Sequence, residues 1–212
     1  MGKEPDINKS YILQQYDSTA EKYASREFLQ ECLGVGRLRR KLLQFADGNV
    51  LEVAVGTGAN LSYYPNSCVL TAIDFSKSML QVAMKKATAM NKTVDFKVMD
   101  AEALQFADRG FDTVVSTLSL CTFPNPALVL SEMARVCKDT GQILLLEHGR
   151  SDCRWLGNWQ DRKAFRHARR FGCIWNREPE EIVRQAGLQI ISNHRHFFGI
   201  FHLIKIRSRE NN

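Results

Sequence analysis

Residues 50–60, Val50-Leu51-Glu52-Val53-Ala54-Val55-Gly56-Thr57-Gly58-Ala59-Asn60, decide the fold. The run is apolar and partly β-branched as far as Val55, then breaks into glycine, threonine and glycine before short polar and apolar residues resume. That pattern predicts a buried strand, a tight turn and a helix. Glycine serves such a turn twice, by reaching φ angles closed to other residues and by baring the backbone to a ligand. The first N–H groups of the helix would point at the same spot. Asp74 closes the next apolar run, Val69 to Ile73, about 20 residues beyond the turn, where a strand-end carboxylate accepts hydrogen bonds from ribose hydroxyls. A nucleoside-containing cofactor is therefore expected. The loop continues Ala59-Asn60-Leu61, with neither a third glycine nor a Gly-Lys-Ser/Thr ending, so the ligand is expected to lack a pyrophosphate. The competing readings are a turn with no ligand and an Asp74 that only caps the next helix.

Outward from this turn, strand-like and helix-like segments alternate from Asn49, which implies a parallel sheet covered on both faces. A short helix should reach Tyr63-Tyr64 before Pro65 stops it. Strands are expected at Val69–Asp74, Val94–Met99, Thr113–Leu118 and, after Gly141, Ile143–Glu147. Ser76 and Asn125-Pro126 read as helix starts, the first helix ending at Asn91. Pro179 opens another helix, closed by Gly187, and 188–191 with 200–206 form a final pair turning near Gly199. Residues 11–45 carry two helical patterns with Gly34 and Gly36 as interruptions. The division is thus an N-terminal helical lid over 1–47 and one main domain over 48–212.

Four motifs in order resemble the class I S-adenosylmethionine (SAM) dependent methyltransferases: Glu52 to Gly58; Ala72-Ile73-Asp74-Phe75-Ser76 with Met79-Leu80; Asp100-Ala101-Glu102; and Phe111-Asp112-Thr113-Val114-Val115. They cover roughly residues 48 to 148. The chain is similar to the ubiquinone-biosynthesis-like branch of small-molecule methyltransferases. Cys121, Met133-Ala134-Arg135-Val136 and Leu146-Glu147-His148-Gly149 resemble its phospholipid- and thiol-methylating members. Glu147 to Arg150 and Gly172-Cys173-Ile174-Trp175-Asn176 also resemble a eukaryotic group of the mitochondrial inner membrane. One departure stands out: Ala54 occupies the place of the motif's usual first glycine.

The resemblance implies a Rossmann-like, seven-stranded, mostly parallel sheet with helices on both faces and an antiparallel last strand. It also implies a SAM site, with S-adenosylhomocysteine as product. Glu52, Ala54, Gly56, Gly58 and Asn60 would meet the methionine part, and Asp74 the ribose. Phe75 and Met79 would meet the adenine face, with Asp100 and Ala101 at its amino edge. Thr117, Leu118 and Cys121 would line the floor near the methyl group, with Tyr16 and Tyr23 on a lid helix. Two tyrosines seven apart are equally what a helix docked on a core would show.

Methyl transfer from a sulfonium needs alignment above all, and a base only if the acceptor arrives protonated. His148, at the end of the fifth strand, is the candidate base, its ordinary pKa of about 6.5 suiting it to take a proton. Glu147 would orient the ring or a substrate group. The competing reading is a strand-end histidine satisfied by the backbone.

Composition narrows the rest. A chain of 212 residues with 6 cysteines and no Cys-x-x-Cys pair reads as one domain holding reduced thiols, with no metal site or disulfide framework. No stretch reaches the roughly 18 apolar residues of a membrane span, and the N-terminus lacks a signal-peptide core. A soluble protein of the cytoplasm or mitochondrion is expected, and a trimmed targeted precursor would read the same way. The net charge of +6 matters mainly through its location. Within a helical insertion over 151–177, Arg154, Arg162, Lys163, Arg166, Arg169 and Arg170 interleave with Trp155, Trp159, Phe165, Phe171 and Trp175. One reading is a solvated helix whose aromatics dock on the core. The other is a cap for an anionic amphiphile, or a contact with anionic membrane.

The expected function is methylation of a small apolar or amphiphilic acceptor of lipid, quinone-like or thiol type. A nucleic-acid methyltransferase is less favoured, because residues 117–124 lack the Asn/Asp-Pro-Pro-Tyr/Phe grip for a flipped base. A SAM-binding scaffold without activity is the third class.

Overall fold

The computed structural model describes residues 9–17 and 34–207. Tyr23 lies outside them. Helix α1 (residues 9–17) comes first, and α2 (Gly36–Leu43) leads into the sheet. Then follow β1 (Asn49–Val53), β2 (Val69–Asp74), α3 (Lys77–Ala89), β3 (Val94–Val98), β4 (Phe111–Thr117), α4 (Pro126–Val136) and β5 (Cys137–His148). The chain closes with α5 (Arg154–Phe171), α6 (Pro179–Gln185), β6 (Gln189–His196) and β7 (Phe201–Arg207).

The seven strands are ordered β3-β2-β1-β4-β5-β7-β6. The first five run parallel, while β7 is antiparallel to both β5 and β6. The order reverses between β1 and β4, so their carboxyl ends splay apart into the crevice where sheets of this kind take ligands. Alternation along the strands builds the two halves of the core. Leu51, Val53, Ile143 and Leu145 pack with Met133 of α4 and Ile182 of α6. Val50, Leu144 and Leu146 pack with Leu38, Leu42 and Leu43 of α2.

Side-chain caps open α3 and α4. Ser76 Oγ accepts from Met79 N at 3.1 Å, and Asn125 Oδ1 accepts from Leu128 N at 3.2 Å. Two expectations need correction. No α-helix follows the first glycine turn: residues 56–63 form successive turns closed by Gly58 N to Val55 O, Leu61 N to Gly58 O and Tyr63 N to Asn60 O, each spanning three residues. This tighter path buries both Leu61 and Tyr64 in seven residues before Pro65, and the turn presents no α-helix N-terminus of its own. Strand β5 also begins six residues earlier than expected, straight from α4 at Cys137, with a register shift against β4. Gly141 sits in this irregular part, where a Cβ would lie 2.7 Å from the Asp112 carbonyl oxygen.

Ala54 carries a cost. Its φ of 57° is in the left-handed region that disfavours a side chain by about 1–2 kcal/mol. Glycine at 54 would relieve that strain while adding about 0.4–1 kcal/mol of unfolded-chain entropy. Ala54→Gly should therefore raise stability modestly, by up to about 1 kcal/mol, and the β-branched Ala54→Val should lower it. Urea unfolding of the three proteins checks the order.

The terminal hairpin buries a histidine. His202 is fully buried in β7, with Arg195 Nη2 3.4 Å from its Nε2 and Asn193 Nδ2 3.2 Å from its Nδ1. Burial, followed by the Arg195 charge, pushes its pKa down to about 4. The unfolded chain therefore takes up a proton near pH 6.5 that the folded one refuses until about pH 4, so stability falls as pH drops through that window, by up to about 3 kcal/mol. In His202→Gln the stability lost between pH 6.5 and 4 should shrink by that amount. Unfolding midpoints with the same pH slope in both proteins would show that His202 does not drive the loss.

Candidate cofactor and acceptor site

A two-lobed cleft opens at the carboxyl ends of β1, β2 and β4. One lobe of about 420 Å³ is lined by Ile12, Ile73, Met99, Asp100 and Ala101. The other, about 660 Å³, is lined by Tyr16, Arg39, Glu52, Gly56, Met79, Thr117 and Leu118. Ala54, Asp74, Phe75, Thr122 and Phe123 border both, which makes them two ends of one space.

Asp74 organises its centre. One carboxylate oxygen accepts from Gly56 N and the other from Ser76 N, each at 2.9 Å. Burial raises its pKa to about 6 against the pull of these N–H groups. A carboxylate has about four acceptor sites, and with the backbone of Phe75 also bonded to it at least one remains for a hydroxyl. Gly56, at φ 55°, would aim a Cβ into space with nothing within 4 Å, a bare stretch of backbone facing the cleft.

Behind the larger lobe lies a buried polar network. Asn60 Nδ2 donates to Glu52 Oε1 at 2.8 Å and to Thr117 Oγ1 at 3.0 Å. Arg39 Nη1 donates to Asn60 Oδ1 and Thr117 Oγ1, both at 2.7 Å. Arg39 was invisible in the sequence, where Arg37-Leu38-Arg39-Arg40-Lys41 reads as a solvated helix face. Its burial at 3% exposure comes from where α2 docks. Thr122 and Phe123 also line both lobes, and nothing in a loop sequence shows which side chains turn inward.

Helix α1 crosses this cleft. Lys9 Nζ reaches Asp100 at 2.6 Å and Glu102 at 2.7 Å, Asp17 accepts from Ser76 Oγ at 2.5 Å, and Tyr11 donates to the Arg169 carbonyl of α5. Ile12 and Tyr16 face inward between these points. Although burial opposes it, the Lys9 ammonium holds the Asp100 carboxyl below its ordinary range.

Several expected residues fall elsewhere. Gly58 and Asn60 line neither lobe. A Cβ on Gly58 would strike Leu61 at 2.8 Å and lie 3.3 Å from Ala83, so this glycine lets the turn pack on α3. Glu147 does not orient His148, because neighbours on a strand point to opposite faces. Its fully buried carboxylate accepts from Ser119 N at 3.0 Å and Leu120 N at 3.2 Å, holding the loop after β4, and burial pushes its pKa up to about 7. Cys121 is buried but lines neither lobe of the cleft. It groups instead with His148 and Cys173, whose Sγ lies 3.4 Å from His148 Nε2. The His148 ring departs from its ordinary pKa too: burial favours the neutral form, but Cys121, Glu147 and the Trp175 backbone outweigh it and move the pKa up to about 9. The ring thus differs from the unperturbed one expected.

The aromatics of α5 do not dock on the core. Trp155 is 71% exposed, and Trp159, Phe165 and Phe171 are exposed beside Arg166, Arg169 and Arg170. Phe198, 75% exposed in the β6–β7 turn, joins this surface where its carbonyl accepts from Asp152 N, just ahead of α5.

The chain is similar to known proteins. A family described as a methyltransferase domain matches residues 51–145. The mitochondrial methyltransferase OMS1 of Saccharomyces cerevisiae is 29% identical over 204 residues, 87% of this chain and 43% of that one. A phosphatidylethanolamine N-methyltransferase of Cereibacter sphaeroides is 43% identical over 103 residues, 48% of this chain and 51% of its own. The human thiol S-methyltransferase TMT1B is 32% identical over 164 residues, 73% of this chain and 66% of its own. The chain thus spans roughly half the length of the first two. The crystal structure of a putative methyltransferase from Bacillus halodurans superposes with a TM-score of 0.64 at 25% identity, covering 74% of this chain and 71% of that one. Together with the cleft at the sheet's switch point, these matches place the chain in the class I methyltransferase family, whose cofactor is SAM.

Proposed function

We propose that this protein transfers the methyl group of SAM to a small apolar or amphiphilic acceptor of the lipid, quinone or thiol class, working against an anionic membrane surface. The observation that carries the reading is the Asp74 corner of the cleft. There a buried carboxylate with acceptor capacity to spare, a bare Gly56 backbone and the Phe75 ring converge. These residues fit a nucleoside: Asp74 would take the ribose hydroxyls, Phe75 the adenine face, and Asp100 and Ala101 its amino edge. Glu52 and the bare backbone at Gly56 would hold the methionine end, with Asn60 fixing the Glu52 carboxylate. Bound SAM supplies a methyl group already activated by the charge on sulfur.

The chain's own contribution is alignment. Thr117 and Leu118 form the floor from which an acceptor is held in line, and such positioning is worth several kcal/mol. Helix α1, tied down through Lys9 and Asp17, serves as the lid that keeps water out. Relatives named for phosphatidylethanolamine and thiol substrates support the acceptor class. The loop over 117–124, apolar at Leu118, Leu120, Phe123 and Pro124, disfavours a flipped base. The mitochondrial name of the yeast relative supports that compartment. No helix among the described residues is long and apolar enough to cross a membrane, and the contact proposed is the one made by α5.

Methyl transfer from labelled SAM into lipid, quinone, thiol and RNA fractions tests the activity. Label should enter one of the first three. Asp74→Ala should weaken SAM binding at least tenfold, about 1.4 kcal/mol, by calorimetry. Unchanged affinity in Asp74→Ala would remove the ribose assignment, and label in RNA alone would reverse the choice of acceptor.

Flotation tests the surface. Arginines near an anionic bilayer each contribute about 1 kcal/mol, and tryptophans favour the interface. The protein should float with anionic but not neutral liposomes. Replacing Arg166, Arg169 and Arg170 together by glutamate should abolish that, and flotation unaffected by the triple change would exclude α5 as the contact.

A further inference from the structure

We infer that Cys121, His148 and Cys173 form a three-ligand site for a thiophilic metal ion, with Zn²⁺ the ion that the donor set fits best. The three come from separate elements: the loop after β4, the end of β5 and the segment after α5. Their donor atoms all lie within 4.8 Å of one another, and Cys173 Sγ is 3.4 Å from His148 Nε2. Tetrahedral zinc with bonds of about 2.3 Å to sulfur and about 2.0–2.1 Å to nitrogen puts its ligand atoms roughly 3.5–3.8 Å apart. Small side-chain movements bring all three to bond length around one point.

The surrounding structure holds the group together. Gly172 ends α5 in the left-handed conformation, at φ 65°, and turns the chain so that Ile174 N donates to the Cys121 carbonyl at 2.9 Å. Arg177 Nη1 donates to the carbonyls of Leu120 and Phe123, at 2.6 and 2.8 Å, on either side of Cys121. The His148 ring bonds the Trp175 backbone as well, which fixes the orientation of the ring. The indole of Trp175 is itself fixed, donating to the Gln160 carbonyl at 3.1 Å. Such support is characteristic of metal ligands, whose outer partners set ring orientation.

Charge balances at such a site. A divalent ion displaces both thiol protons to solvent and leaves two thiolates, one neutral imidazole and no net charge. Three protein ligands leave a fourth position for water or another donor, the arrangement of zinc sites that do chemistry. Placement adds to this, because the loop that carries Cys121 also lines the cleft through Leu118, Ser119, Thr122 and Phe123. The site stands on this geometry and does not depend on which acceptor is methylated.

The test is the metal content of the full chain, expressed with zinc supplied and purified without strong chelators. About one equivalent of zinc per chain is expected, and Co²⁺ exchanged into it should show thiolate-to-cobalt charge transfer with the intense visible bands of a tetrahedral ion. Cys173→Ser should lose the zinc and the charge-transfer band while circular dichroism stays unchanged. Cys68→Ser, a thiol outside the group, should keep both. Wild-type protein with no stoichiometric metal and no cobalt–thiolate band would overturn the site. So would undiminished zinc in Cys173→Ser, or a Cys121–Cys173 disulfide in the mass of the unreduced protein.

Discussion

The carboxylate of Asp74 is the tie on which the functional end of this molecule depends. It takes one N–H from the turn after β1 and one from the start of α3, and so locks the first two strand ends into a fixed relation. The turn has no α-helix to brace it, and Ala54 within it bears an unfavourable φ. What keeps the backbone there is this buried acceptor, together with the close packing of Gly58 on α3. A buried carboxylate is costly unless its oxygens are satisfied, which binds the position of Gly56 to that of Asp74. The strain at Ala54 is of the kind that persists only where surrounding contacts over-determine it.

A second organising element is the loop after β4. Leu118 enters it at a φ of 54°, and Glu147 gathers the N–H groups of Ser119 and Leu120 from below. One side of the loop becomes cleft wall and the other presents Cys121 to His148 and Cys173. A single short segment therefore joins the cleft to the thiol–imidazole group, with Arg177 clamping its carbonyls from the chain beyond α5. Movement of this loop would be felt on both sides.

Outside the sheet, α5 has few core obligations. Only Gly157, Gln160 and Ala168 of its 18 residues are buried, and Trp155, Trp159, Phe165 and Phe171 are exposed, Trp159 tilted against Trp175. Its far end meets α1 through Tyr11 and Arg169, which joins the cover of the cleft to the exposed helix.

By itself the sequence determined the α/β class, the parallel sheet with an antiparallel end, the helix caps at Ser76 and Asn125, and the corner made by Gly56, Asp74 and Phe75. These features rest on period, turn chemistry and residues near in the chain, all of which are written locally. Tertiary structure decided the rest. The turns over 56–63 look helical in sequence, and only the need to bury Leu61 and Tyr64 within so short a span sets their path. Arg39 sits in a basic run that reads as solvated until α2 docks and buries it against Asn60 and Thr117. Glu147 and His148 are neighbours in sequence, yet the strand sends them to opposite faces, one to a loop and one to two thiols. Cys121, His148 and Cys173 share no spacing that a metal motif would show, since their meeting is made by sheet order and by the turn at Gly172. Local physics names the elements and some of their chemistry. Which distant side chains converge is settled by how the elements pack.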